Sequence, residues 1–293
     1  WGVRRAWQRA HLRYGKAAPL SEALPPAESG PPPALLTSMA CRQAFFDAAF
    51  YAPWCAAMKQ APLYRRKQWE WVFIAQALEE RGLLAPGRRG LGFGVGMEPL
   101  TALFAQRGCQ ITATDLPAQV AQAQGWAYSG EHASGLRALN HRRLCPPQEF
   151  AQRVMLRAVD MNHIPADLAG YDFCWSSCAL EHLGSLEAGL AFIRNSLDCL
   201  RPGGLAVHTT ELNLSPGTET AGSGPTVLYR REHLEGLAAR LRAAGHRVAP
   251  LDFDTGHLWV DGHVDVPPYR REPHLKLVIG QFVSTSFGLI VEK

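Results

Sequence analysis

From about residue 40 onward, apolar and polar positions alternate with a period that changes along the chain. Trp71, Ile74, Ala75 and Leu78 recur at i, i+3, i+4 and i+7, which predicts an amphipathic helix closing near Arg81-Gly82. Beyond it, short β-type runs at 90–95, 110–114, 154–159, 172–176 and 205–210 are interleaved with helical periods that begin near Glu98, Ser185 and Arg231. The period after Ser185 is the clearest: Leu186, Leu190, Ile193, Leu197 and Leu200 share one side, and RPGG at 201–204 is expected to end it. A later helix buries Leu234, Leu237, Ala238 and Leu241 and stops at Gly245, and residues 282–291 return to strand character. Strands that alternate with helices in this way predict an α/β fold, a parallel sheet covered by helices on both faces.

Two stretches break the rhythm. Residues 1–60 read as an arm and helical extension, because LPPAESGPPPA at 24–34 suits neither a helix nor a central strand. Residues 252–276 are rich in Gly, Pro, charged residues and His, and are expected to be a loop or lid inserted in the main domain, 61–293. The chain opens on Trp1 rather than Met, as a portion of a longer polypeptide would.

The 293 residues are 47% hydrophobic and 19% charged, which sets aside disordered, collagenous and coiled-coil classes. A formal net charge of +4, evenly spread, argues against DNA as a partner. The seven cysteines are scattered and mostly lie in apolar runs, which suits free thiols in a reducing, cytoplasmic setting. No apolar run approaches the 18 or so residues of a membrane span.

Candidate chemistry starts at Gly92-Phe93-Gly94-Val95-Gly96, between a strand and a helix. Glycines there let the backbone turn sharply and approach a ligand, and the following helix offers unpaired N–H groups. Asp115 ends the next strand, where a carboxylate can accept both hydroxyls of a ribose.

With these segments in view, the chain resembles the class I S-adenosylmethionine-dependent methyltransferases over roughly residues 65–293. The resemblance rests on LGFGVG as the glycine loop, Asp115 as the ribose acid, Asp160-Met161 beside the adenine, YDFCWSSCALEHL as the fourth strand and LRPGGLAVHTT as the turn and fifth strand. It implies a Rossmann-like sheet of seven mostly parallel strands and S-adenosylmethionine as cofactor. Contacts are implied at Gly92, Phe93, Gly94, Gly96, Glu98, Asp115, Leu116, Asp160, Met161 and Ser176. One departure is Gly90, where the family often has an acid. A nicotinamide-binding Rossmann domain is disfavoured, since its GxGxxG would place the third glycine at position 97, which is Met.

Methyl transfer from a sulfonium needs a positioned acceptor and a base. The fourth and fifth strands end in Glu181-His182 and in His208-Thr209-Thr210-Glu211, so Glu181, His182, His208 and Glu211 are the catalytic candidates. Glu181, His182 and His208 also resemble the ligands of metal-dependent small-RNA 3′-end methyltransferases, although Cys178 stands where those enzymes have a further acid. SSCA replaces the Asn/Asp-Pro-Pro-Tyr/Phe of DNA amino-methyltransferases, and VPPY at 266–269 falls too late to supply it.

The polar, partly aromatic 252–274 segment, with Asp261, His263, Asp265, Tyr269, Arg270 and Arg271, suits a hydroxylated acceptor. The expected activity is O-methylation of a sugar in a glycan or glycoside, in line with a resemblance to bacterial methyltransferases of polysaccharide and glycoside assembly. The alternatives are a metal-dependent O-methyltransferase of a small molecule or RNA ribose, and a non-catalytic cofactor-binding module fused or docked to a glycosyltransferase.

Overall fold

Strands buried on both faces read as continuous apolar runs rather than as alternation, and this governs the central strands here. The computed structural model describes residues 35–117, 132–133 and 135–293. Its elements begin with β1 (Ser38–Ala40), α1 (Gln43–Phe46), α2 (Tyr51–Ala57) and α3 (Arg66–Glu79), followed by β2 (Arg89–Phe93), α4 (Leu100–Gln106) and β3 (Gln110–Asp115). Then come α5 (Pro147–Arg153), β4 (Val154–Ala158), β5 (Tyr171–Ser177), α6 (Leu186–Asp198) and β6 (Leu200–Asn213). The remaining elements are α7 (Arg231–Ala243), β7 (Arg247–Val248), β8 (Leu251–Asp252), β9 (Val264–Asp265), β10 (Lys276–Ile279) and β11 (Phe282–Glu292).

The predicted helix after Ser185 starts where its cap requires, with the Ser185 hydroxyl accepting from Ala188 N–H at 3.1 Å. It ends at Asp198, and RPGG does not form a separate turn: residues 201–204 already belong to β6. Gly203 takes a positive φ of 74° there, and its N–H donates to the Lys293 carbonyl at 2.9 Å, which carries the strand through an exposed kink.

The sheet runs β4-β3-β2-β5-β6-β11-β1-β8. β4, β3, β2, β5 and β6 are parallel, and β11 is antiparallel to β6, giving the mostly parallel Rossmann-like α/β architecture expected. Among the described residues the sheet joins eleven strands rather than seven. The additions cover an edge: β1 pairs antiparallel with β11 (Met39↔Gly288) and β8 pairs parallel with β1 (Ser38↔Leu251). Phe45, Trp54, Trp69, Phe73 and Phe104 fill the core on one face of the sheet, while Phe192, Leu197, Leu234 and Leu241 fill the other. Residues 35–60 thus share a core with the rest, and the described residues from Leu35 on form one compact unit.

Much of the 252–276 segment is tied to the N-terminal helices. Asp261 Oδ1 accepts from Gln43 N–H at 2.6 Å, Gln43 Oε1 accepts from Val260 N–H at 2.8 Å, and Arg42 pairs with Asp252 at 2.7 Å. Farther along, the Arg66 N–H donates to the His274 carbonyl at 2.9 Å, and β10 joins the sheet through β11.

Strand order reverses between β2 and β5: β3 and β4 lie to one side, β5 and β6 to the other. The loops leaving the carboxyl ends of two such strands diverge to opposite faces and leave a crevice, the usual ligand site of an open α/β sheet. Here those loops are residues 94–99 and 178–185.

Candidate functional site

At the β2 end, the glycine loop is shaped by close approach. Gly94 has φ +56°, and a Cβ on it would lie 2.9 Å from Ala179 Cβ and 3.3 Å from Met161 Sδ. The loop backbone therefore presses against the turn after β5, with no room for a side chain. Phe93 contributes backbone only, since its ring packs edge-on against Phe192 at 5.1 Å. Gly90, the departure from the family pattern, is closed to an acid by packing: a Cβ would sit 2.4 Å from Phe173 and 2.8 Å from Ile111.

Asp115 ties this loop to the end of β3. Its Oδ2 accepts from the N–H groups of Gly96 and Ala133, both at 3.1 Å, and its Oδ1 from Leu116 N–H at 2.8 Å. Carboxylate oxygens keep further lone pairs after such bonds, so ribose hydroxyls can still be accepted. Asp160 is held by Asn162 N–H at 2.9 Å and by His163 at 3.0 Å, with Met161 buried beside Gly94. Backbone walls and strand-end acids of this kind fit an adenosyl cofactor, with Gly92, Gly94, Gly96, Asp115, Asp160 and Met161 as the residues that would hold it.

Glu98 does not extend freely from the loop. It is buried, accepts from the Trp175 indole N–H at 2.6 Å, and burial pushes its carboxyl up to about 8.

The carboxyl ends of β5 and β6 and the amino end of the antiparallel β11 carry a different construction, a buried network of charges and hydroxyls. Glu70 reaches it from α3, accepting from Ser286 Oγ at 2.6 Å, Ser177 Oγ at 3.1 Å and Lys67 Nζ at 2.7 Å. Burial alone would raise the Glu70 carboxyl, but Lys67 and Arg66 together hold it below its ordinary range. Arg66 pairs with Glu211, which also accepts from Ser284 Oγ at 2.7 Å. Glu181 accepts from Thr210 Oγ1 at 3.2 Å. Burial raises its carboxyl, His182 pulls it down, and Glu211 raises it again.

Cys178 joins the group with a positive φ of 46°, a conformation that a non-glycine residue holds only when its surroundings enforce it. Its N–H is fixed by the carbonyl (3.1 Å) and hydroxyl (3.0 Å) of Thr209. Burial first, then Glu181 and Glu70, push the thiol far up, so it remains protonated.

The strand ends thus bring Glu181 and Glu211 together but not His208. The His208 ring faces α6 on the other side of β6, fully buried, with Nδ1 2.8 Å from Ser176 Oγ and Nε2 3.1 Å from Ser196 Oγ. Ser196 donates its hydroxyl proton to the Ile193 carbonyl, so it accepts from Nε2–H and leaves Nδ1 to accept from Ser176. Burial lowers His208 to about 3, which keeps it neutral.

His208 is therefore neither the expected base nor a metal ligand, and the Ser176 hydroxyl is spent on it rather than on a cofactor. The expected metal set Glu181, His182 and His208 cannot close on one ion. Ligand atoms of Cys178, Glu181 and Glu211 instead lie within 4.8 Å of one another. His182 stays at the turn, its Nδ1 2.7 Å from the Pro225 carbonyl. Asp261 and Asp265, expected to face an acceptor, are buried in structural bonds, the latter to His274 at 2.7 Å.

Sequence reasoning missed Arg66, Lys67 and Glu70. A signal was present: Glu70 shares the i, i+3, i+4, i+7 face of Phe73, Ile74 and Ala77, so an acid stood on an otherwise apolar stripe.

Residues 91–208 match the family model described as a methyltransferase domain. No curated protein matches the chain. Among solved structures, it is similar to the methyltransferase domain of bacterial CtHen1, at 15% identity over 78% of this chain and 100% of that one with a TM-score of 0.47. It is also similar to the 1,6-didemethyltoxoflavin-N1-methyltransferase of Burkholderia thailandensis, bound to its substrate and S-adenosylhomocysteine, at 18% identity over 78% of both chains with a TM-score of 0.43. A third is the [4+2]-cyclase SpnF, at 24% identity and a TM-score of 0.39, where the match spans 60% of each chain. The match to a methyltransferase domain thus spans β2 to β6, the segment that holds the glycine loop, Asp115 and the parallel strands on both sides of the crevice. No helix among the described residues is long and apolar enough to cross a membrane.

Proposed function

We propose that this chain is an S-adenosylmethionine-dependent methyltransferase that methylates a hydroxyl group, that of a sugar in a glycan or glycoside, with Glu181 taking the proton. The carrying observation is the position of Glu181: buried in the turn after β5, two residues beyond the Ala179 that faces Gly94 of the glycine loop, with a carboxyl raised by burial. S-adenosylmethionine, when bound, supplies a methyl group already activated on a sulfonium sulfur. The chain's own task is to orient the acceptor oxygen and remove its proton as the C–O bond forms. A base whose pKa lies near the operating pH does this best; burial moves Glu181 upward in that direction, whereas it lowers His208 to about 3. The surrounding hydroxyls of Ser177 and Thr210 and the charges of Arg66 and Lys67 form a polar wall suited to a hydroxylated acceptor.

A metal-dependent version has one supporting observation, the closeness of Cys178, Glu181 and Glu211. Against it, Arg66 already neutralises Glu211 and Lys67 already neutralises Glu70, so a dication would face little uncompensated negative charge. The test is transfer of a tritiated methyl group from S-adenosylmethionine across panels of glycosides, phenols, amines and RNA, with and without chelator. Chelator-insensitive label on glycoside hydroxyls is expected. Label confined to amines or phenols overturns the acceptor, loss on chelation with rescue by Mn²⁺ installs the metal version, and no label anywhere favours a non-catalytic module.

A further inference from the structure

A cavity of about 650 Å³ opens beside the start of α3, lined by Arg65, Lys67, Gln68 and Trp71. Its lining includes Lys59, Arg65, Lys67, Arg142 and Arg271 together with Trp71, and no carboxylate among the described residues that form its wall. Five cations around one concavity repel one another unless something negative is shared between them. Lys67 is already paired with Glu70, but the partners of the other four do little to relieve this. Lys59 donates to the carbonyls of Arg142 and Arg143, and Arg65 and Arg271 have no carboxylate in pairing range among the described residues.

Arg142 is the most telling. Its guanidinium lies over the Trp71 ring, 5.4 Å from the centroid, half-buried and without an acidic partner, and burial alone lowers it. The Trp71 indole N–H is buried with no acceptor. The helix start points the same way. α3 has 14 residues, no side-chain cap at Arg65 and no acid in its first turn, which instead carries Arg66 and Lys67. Cations at that end oppose the helix dipole, whereas an anion there would be favoured by it.

We propose that this cavity binds a phosphate or diphosphate group carried by the acceptor. The proposal rests on the reading of the adjoining strand ends as the acceptor site. Lys67 links the two: it lines the cavity, and its Nζ is 2.7 Å from Glu70, which holds Ser177 at the end of β5. A phosphorylated sugar would keep its anionic end among the cations while its hydroxyl reaches the carboxylates. The four cations without an acidic partner, Lys59, Arg65, Arg142 and Arg271, match a doubly or triply charged phosphate better than a single carboxylate, and guanidinium groups bind its oxygens in pairs.

The experiment compares the full chain with its Arg142→Met, Arg271→Met double variant, using inorganic pyrophosphate and citrate as probes in calorimetry and S-adenosylhomocysteine as a control. Pyrophosphate should bind the wild type, more weakly as salt is raised, and about tenfold or more weakly in the variant, with cofactor affinity unchanged. Equal pyrophosphate binding in both proteins, or none in either, overturns the proposal. Citrate binding as tightly as pyrophosphate overturns its phosphate part. A second arm compares methyl transfer to sugar phosphates and to matching neutral glycosides. Preference for the phosphates that disappears in the variant is expected, and equal rates on both overturn the assignment to the acceptor. Variant-sensitive pyrophosphate binding with no transfer to any sugar would support the cavity while refuting the sugar-hydroxyl reading.

Discussion

On the β2–β4 side of the crevice the ligand-facing groups are backbone and strand-end acids: a glycine loop pressed against Ala179, with Asp115 stitched to Gly96. On the β5–β6–β11 side they are buried charges, where Glu70, Glu181 and Glu211 are balanced by Arg66 and Lys67 and surrounded by serine and threonine hydroxyls. The first side owes its shape to local geometry within a few residues of a strand end. The second exists only because a helix some 100 residues earlier in the chain lies across the sheet. On the proposed assignment, cofactor recognition and acceptor chemistry would therefore depend on different kinds of interaction, and mutations should separate them.

The largest separation is expected from Arg66→Met, which leaves Glu211 buried with no ion-pair partner. Breaking such a pair costs about 3–5 kcal/mol, to be read from urea unfolding. A loss below about 1 kcal/mol would mean that the network does not hold the β5–β11 side together. Next, Glu181→Gln should lower kcat about a hundredfold, the usual scale of a general base, with cofactor affinity intact. His208→Gln should keep kcat within a few-fold, since neither ring nitrogen reaches the crevice. If the two variants exchange these phenotypes, the assignment of faces is reversed.

A smaller effect is expected on the cofactor side. Asp115→Ala should weaken S-adenosylhomocysteine about tenfold or more in calorimetry, through lost charge-assisted hydrogen bonds. Unchanged affinity would remove Asp115 from the site.

The smallest effect concerns pH. Glu98 sits at about 8 in the folded chain against an ordinary 4.5, so between those values the folded state keeps a proton that the unfolded state releases, and stability falls as pH rises through that window. Glu98→Gln retains an acceptor for Trp175 and removes the titration. Its melting temperature should exceed that of the wild type at pH 8.5, by a margin that grows as pH rises from 5, and should match it at pH 5. His208 has the opposite sign, its depressed value of about 3 making stability fall as pH drops below 6.5.

Periodicity alone located α3, α6 and α7 and each parallel strand to within a few residues, because burial on one stripe or both faces writes itself into consecutive positions. The glycine loop and Asp115 were legible for a related reason: a tight strand-to-helix turn and a strand-end acid are short-range features. His208 was misread because a strand alternates its faces, and nothing in HTTE tells which face meets α6 and which meets the crevice. Pairing with Ser176 on β5 and packing on Phe192 decide that. The 252–276 segment was misread in part for want of its partners, since Asp261 and Asp265 look like solvent-facing polar residues until Gln43 and His274 are placed against them.

What the sequence by itself determined is the order of strands and helices, the glycine loop and the strand-end acids, all properties of neighbours in the chain. Tertiary structure alone decided which charges meet. Arg66, Lys67 and Glu70 become site residues only when α3 packs on the sheet, and the cationic cavity needs residues from 59 to 271 brought to one place. Electrostatic partnership depends on distance in space, and spacing along the chain does not encode it.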